Sequence, residues 1–329
     1  METSPPGPFG RRALLLAGAG LGAGLSRAAR AQGGYPDRPV RVVVSYGAGG
    51  AVDTLARIVM PLLGQRLGQP IVVENRPGAG GTIGAGAVAR SQPDGYTLLD
   101  DGSGFVINAI LMPQLPYDIR QDFRPVARVA TIPNVILLGP SVRARTLPEL
   151  LEFARANPGE LDCSSTGVGS AQHLGLELLN RMAGVRINHV PYRDAPASQN
   201  DLRAGRIAMT MATATSAIPL NGQDGMRVIA HGGEQPIVAL PDVPAISATV
   251  PGFLSQEWQG VFAPAATPAA IVERLNAELR AVLAEEAVVR RFTALGARGG
   301  TETPAEFKAF IAAEIERIGA LVREARIAL

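Results

Sequence analysis

VRVVVSYGAGGAVDTLARI (residues 40–58) and IVVENRPGAGGTIGAGAVA (residues 71–89) stand almost back to back, and each runs from β-branched residues through glycines into a helical pattern. Apolar residues in the first fall at Leu55, Ile58, Val59, Leu62 and Leu63, the spacing of one helix face. A strand, a glycine turn and a helix, twice over, predict an α/β fold. Glycine loops that leave a buried strand and open a helix are also where such folds hold small anions, because the first helical amides lack intrahelical acceptors.

The same alternation continues along the chain. Short apolar runs at residues 96–99, 135–138 and 227–230 read as strands covered on both faces, and helical patterns follow Pro148 and His173. Two longer amphipathic helices are expected at about 268–284 and 304–326, each with Pro near its first turn. The alternation predicts mainly parallel sheets.

The beginning of the chain reads differently. Arg11 and Arg12 precede an apolar run at residues 13–25, and Ala29-Arg30-Ala31 supplies the small residues of a cleavage site, so residues 1–31 are expected to be an export signal cut after Ala31. The run of about 13 residues falls short of the roughly 20 that span a bilayer. The arginine pair leaves both the general secretory and the twin-arginine routes open. Removing its four arginines and one glutamate takes the formal charge from +2 to −1. With no basic cluster and no interleaved aromatics, nucleic-acid binding is not expected. A single cysteine, Cys163, excludes an internal disulfide.

The glycine loops fail the nucleotide fingerprints. Residues 47–52 lack the last glycine of G-x-G-x-x-G, and no Lys-Ser or Lys-Thr pair follows. Residues 84–89 fit G-x-G-x-x-A, but inside a helical pattern. What remains is a helix start with bare amides at Gly49, Gly50 and Ala51, suited to a carboxylate. Asp53, in the first turn, is either a cap or a ligand contact. The loop at residues 78–86 reads as a tight turn for helix packing. A second cradle is expected at residues 164–174, where hydroxyls and glycines precede a helix. There Ser170 is a cap or a donor, and His173 is either packed or in contact with ligand.

GAGGAVDTLAR, IVVENRPGAGGTIGAGAVARSQPDGYTLL, LPYDIRQDFRPVA, STGVGSAQHL, HVPYRDAPASQNDLRAG, LPDVP and WQGVFAPAATPAAIVERLNAEL occur here in order. In this the chain resembles the extracytoplasmic solute receptors of the tripartite tricarboxylate transporter family (Bug or TctC type). The resemblance implies a type II periplasmic binding protein with two α/β lobes joined by crossing strands, residues 35–134 plus 256–329 forming one and residues 135–255 the other. It implies a periplasmic monomer that holds a small organic acid in the cleft, without a cofactor or metal, and delivers it to integral membrane transporter subunits. Residue by residue, it points to Tyr46, Gly49, Gly50 and Asp53 in the first loop and to Ser103, Gly104 and Asn108 in a second loop of that lobe. Opposite them it points to Ser165, Thr166, Gly167, Gly169, Ser170 and His173, with Arg193 and Asp194 at the cleft edge.

The chain departs from the family where Ser45-Tyr46-Gly47-Ala48 replaces a Pro-rich loop, where Asp194 replaces a usual Gly, and where Ala208 replaces a common Asp. Unless it faces solvent or pairs with Arg193, an added carboxylate at 194 would repel a dianionic ligand and point to a neutral or cationic far end. An exported enzyme on the same frame, or a receptor feeding a membrane sensor, is the alternative. The three histidines show no metal-ligand spacing and no G-x-S-x-G is present.

Overall fold

The computed structural model describes residues 34–112, 114–193 and 195–325. The chain divides into Met1–Asp37 and Arg38–Leu329. Residues 34–37 of the former hold no helix or strand, and the expected export signal lies outside the described residues.

Within Arg38–Leu329, β1 (Val40–Val44) is apolar except for Arg41 and almost wholly buried, and it feeds α1 (Ala51–Leu67) through the first glycine loop. Leu55, Val59 and Leu63 form the buried face of α1, and Gly68 ends it in the left-handed conformation at φ 75°. The unit repeats as β2 (Ile71–Asn75), α2 (Thr82–Ala89), β3 (Thr97–Gly102) and α3 (Gly104–Leu111). β1 pairs in parallel with both β2 and β3.

β4 (Phe123–Leu138) is far longer than the expected run at 135–138. Pro125 and Pro133 interrupt its apolar pattern, and the pairing shifts register between Pro125 and Ala127 and between Arg128 and Ala130. Beyond it come α4 (Leu147–Ala156), β5 (Asp162–Ser165), α5 (Ala171–Ala183), β6 (Asn188–Pro191), α6 (Ala195–Arg203), β7 (Met209–Thr213), the short α7 (Ala214–Ala217) and β8 (Arg227–His231). The chain returns through β9 (Gln256–Pro264) to α8 (Ala269–Leu283), α9 (Glu286–Ala294), β10 (Arg298–Gly299) and α10 (Pro304–Ala325).

The strand order is β2-β1-β3-β9-β4-β7-β5-β6, with β8 and β10 also on β4. β4 changes partners along its length. Phe123 to Pro133 lie against β9, whereas Asn134 to Leu138 lie against β7 and β8. The expectation of mainly parallel pairing holds only where a strand-helix-strand unit is intact, as in β1 with β2 and β3 and in β5 with β6 and β7. The pairings of β4 with β7, β8, β9 and β10 and of β3 with β9 are antiparallel.

Two apolar clusters flank the change of partners. Val43, Leu99, Phe105, Trp258, Phe262 and Phe307 belong to one, and Ile136, Leu150, Leu176, Met209 and the free Cys163 to the other.

Candidate functional site

Three loops leave the carboxyl ends of parallel strands and open helices. Residues 45–50 lead from β1 into α1, Ser103 from β3 into α3, and residues 166–170 from β5 into α5. This is the edge at which open α/β sheets bind ligands. The first and third of these loops, with Gly104 at the start of α3, bound a cavity of about 870 Å³.

In the first loop, Gly49 has φ 81° and its amide donates to Asp53 Oδ2 at 2.9 Å. Arg57 Nε lies 3.0 Å from both Asp53 oxygens, and Asn75 Nδ2 donates to Asp53 Oδ1 (2.9 Å) and to the Tyr46 carbonyl (3.0 Å). Burial opposes the Asp53 charge, but hydrogen bonds from Arg57, Gly49 and Asn75 outweigh it and hold the carboxyl below its usual range. Asp53 is therefore a brace for the loop; it does not line the cavity, and neither does Gly49. The expected bare amide at Gly49 is taken. Gly50, Ala51 and Val52 do line the cavity, at a helix start that no side chain caps.

The opposing loop uses the same device. Gly169 N donates to Nδ1 of His173, four residues on, at 3.2 Å, and Ser170 Oγ accepts from His173 N at 3.2 Å as the helix cap. His173 is buried and stacks on His189 with ring centroids 4.0 Å apart. Burial lowers the pKa of both, and with His173 beside it His189 falls to about 4. Ser165 Oγ and His189 Nε2 are 2.6 Å apart. His173 and Gly169 stand behind the loop, while Ser165, Thr166, Gly167 and Ser170 line the cavity.

Of the other expected residues, Tyr46, Gly104 and the exposed Arg193 line the cavity. A Cβ on Gly104 would collide with the Tyr46 hydroxyl, so the glycine makes room for that ring. Ser103 is turned away, accepting from Trp258 N at 2.9 Å. Asn108 donates to the Gly80 carbonyl at 2.7 Å, so it holds the neighbouring turn and does not itself line the cavity. Asp194 lies outside the described residues.

The cavity wall extends beyond the residues expected from the sequence. The loop at residues 78–86, expected only to let a helix pack, does that at Gly84, whose Cβ would lie 3.1 Å from Ser45 Cα. It also lines the cavity, with Gly80 and Gly81 at positive φ. Its signal was present in the repeated GAGG. Gln172 lies within the expected stretch 164–174 without being singled out there, and Glu257 lies outside every expected loop. Gln172 Nε2 donates to Glu257 Oε2 at 2.9 Å and to Asn134 Oδ1 at 3.2 Å, while its own oxygen accepts from Thr166 Oγ1 at 2.9 Å. Burial raises Glu257 to about 7, and likewise Asp101, where hydrogen bonds from the Gly102 amide and Tyr46 only partly offset the burial. Burial and the nearby Asp101 and Glu257 carboxyls raise Tyr46 well above its usual value. No group of three or more His, Cys, Asp or Glu suited to a metal occurs among the described residues, and no described helix is long and apolar enough to cross a membrane.

Residues 55–327 match the profile of the tripartite tricarboxylate transporter family receptor. The chain belongs to that family. The receptor is 38% identical over 295 residues to a UPF0065 protein from the tcbD-tcbE intergenic region of Pseudomonas, covering 89% of this chain and 88% of the relative. Among solved structures it is similar to Rpa4515 of R. palustris with adipate, at 33% identity and TM-score 0.86, covering 89% of this chain and 99% of that one. It is similar also to MatC of Rhodopseudomonas palustris with bound malate, at 32% identity and TM-score 0.81, covering 88% of this chain and all of the other. The fold is that of these solute-binding receptors, a mixed α/β architecture.

Proposed function

We propose that this receptor binds a small carboxylate between two lobes, residues 35–134 plus 256–329 and residues 135–255, and delivers it to membrane transporter subunits from the periplasm, acting as a monomer after cleavage of residues 1–31. The observation that carries the reading is the pair of helix starts, α1 and α5, whose braced loops face one cavity. Helix amides favour an anion there without a buried cation. Adipate and malate in two relatives support the ligand class. Native mass spectrometry of the protein purified without refolding tests it. A retained small acid supports the reading, and calorimetry with the recovered acid giving no heat and no saturation refutes it.

One observation favours a second reading, an exported hydrolase. The short Ser165–His189 contact lies at the cavity wall. Against it, an imidazole at about 4 is a weak base near neutral pH. Incubating the protein with the recovered ligand and with its simple esters, and following product over hours, separates the two; steady turnover lost in Ser165→Ala would establish the hydrolase.

A further inference from the structure

The charged side chains among the described residues lining the cavity are Arg193 and Glu257. They differ in setting. Arg193 is exposed, whereas Glu257 is only 8% exposed and sits on β9 where the strands cross. Its position is fixed: a Cβ on Gly102 would collide with Oε1, and Oε2 accepts from Gln172, itself held by Thr166 and Asn134. Behind Tyr46 lies a second buried carboxyl, Asp101. A ligand whose carboxylate occupies the helix starts therefore meets an acceptor, with no buried cation among the described lining residues to receive a second anionic group.

We propose that Glu257 determines the ligand class, selecting a carboxylate of single negative charge whose second polar group is a hydrogen-bond donor, an ammonium or a hydroxyl, that Glu257 accepts. This rests on the carboxylate-receptor reading. Like charges in a site shielded from water repel strongly, whereas a donor meeting a fixed carboxylate makes a charge-assisted hydrogen bond. A cavity of about 870 Å³ has room for both ends and an apolar body along Leu137, Met211 and Leu220.

The test is calorimetry at pH 8, where Glu257 is ionised, with matched straight-chain acids from propionyl to octanoyl length ending in methyl, hydroxyl, ammonium or carboxylate. At the best length the hydroxyl or ammonium acid is expected to bind about tenfold or more tighter than the dicarboxylate. Glu257→Gln is expected to narrow or invert that ratio, by weakening the ammonium acid and strengthening the dicarboxylate. Wild-type binding led by the dicarboxylate, or a ranking unchanged in the variant, overturns the inference while leaving the receptor reading intact. Absence of binding by every acid removes both. If Glu257→Gln does not fold, the wild-type ranking decides, with Glu257→Asp, which keeps the charge but draws it back, expected to weaken the ammonium acid most.

Discussion

Glu257 and Asp53 are both buried carboxyls, yet their surroundings push them in opposite directions. Asp53 receives three kinds of donor and stays charged, whereas Glu257 receives one amide and sits near 7. An acid whose folded value lies above its unfolded one adds stability at low pH that is lost as pH rises to that folded value. The contribution of Glu257 is thus present near pH 4.5 and gone above about 7. Glu257→Gln keeps the shape without the titration. Relative to wild type it should gain about 1–3 kcal/mol between pH 5 and pH 8, followed by thermal melting of the empty protein. A constant gap at both pH values would show that the carboxyl is not perturbed. The subtraction matters because His173, His189 and His231, all lowered by burial, tilt the whole-protein profile the other way below pH 6.5. Asp53 has the reverse sign. Its lowered value contributes above the unfolded pKa and is lost as pH falls through the folded one. Asp53→Ala should cost about 1–3 kcal/mol at pH 7, flatten the acid limb and weaken ligand binding, because Gly49 and Arg57 lose their common acceptor. Binding lost without any fall in melting temperature would restore Asp53 as a direct contact.

At the scale of elements, the site is made by helix starts whose conformations are fixed from outside. The Tyr46 ring fits because α3 begins with a glycine, Gly104. Gly104→Ala should drive the Tyr46 hydroxyl away, cost on the order of 1–3 kcal/mol and lower ligand affinity. Tyr46→Phe in the same chain relieves that clash, so a double-mutant cycle of melting temperatures should show the pair less damaging than the sum; strict additivity would mean that the two do not meet. These two residues also mark how much the sequence could reveal. α1, α4, α5, α8 and α10 follow from periodicity and from Gly and Pro signals, and the cradles at residues 45–53 and 164–174 follow from glycines before helices. Which amides remain free does not follow, because the acceptors that consume Gly49 and Gly169 are ordinary helix residues four positions on. β9 and Glu257 are not legible for a different reason: Gln256-Glu257-Trp258-Gln259 has neither an alternating nor a continuous apolar pattern, and Glu257 enters the cavity only through antiparallel pairing of β9 with β3 and β4.

For the whole unit Arg38–Leu329, the decisive geometry is that β4 serves both strand sets and changes partner at Pro133–Asn134. Asn134 fastens this point. Its amide donates to the Ser255 carbonyl at 3.0 Å, its carbonyl accepts from Gly232 N at 2.7 Å, and its side chain bonds Ser255 Oγ at 2.9 Å and Gln172 at 3.2 Å. The crossing is therefore tied to the start of α5, the loop that faces α1 across the cavity. Closure on a ligand is expected to be a rotation about this crossing. Two measurements on one sample check it. At a ligand concentration of 100 times Kd, stability should rise by about 2.7 kcal/mol, and small-angle scattering should show a smaller radius of gyration. Stabilisation without compaction would mean that the cavity is already closed when empty. Asn134→Ala separates the fastening from the contacts, since Asn134 does not itself line the cavity. It removes buried hydrogen bonds and should cost the empty protein about 1–3 kcal/mol. It should also weaken ligand binding, because Gln172 loses one of its anchors and the α5 loop is less well placed. If the variant instead binds as tightly as wild type and compacts to the same radius, the coupling between crossing and loop is absent, and the loops must find their closed positions independently.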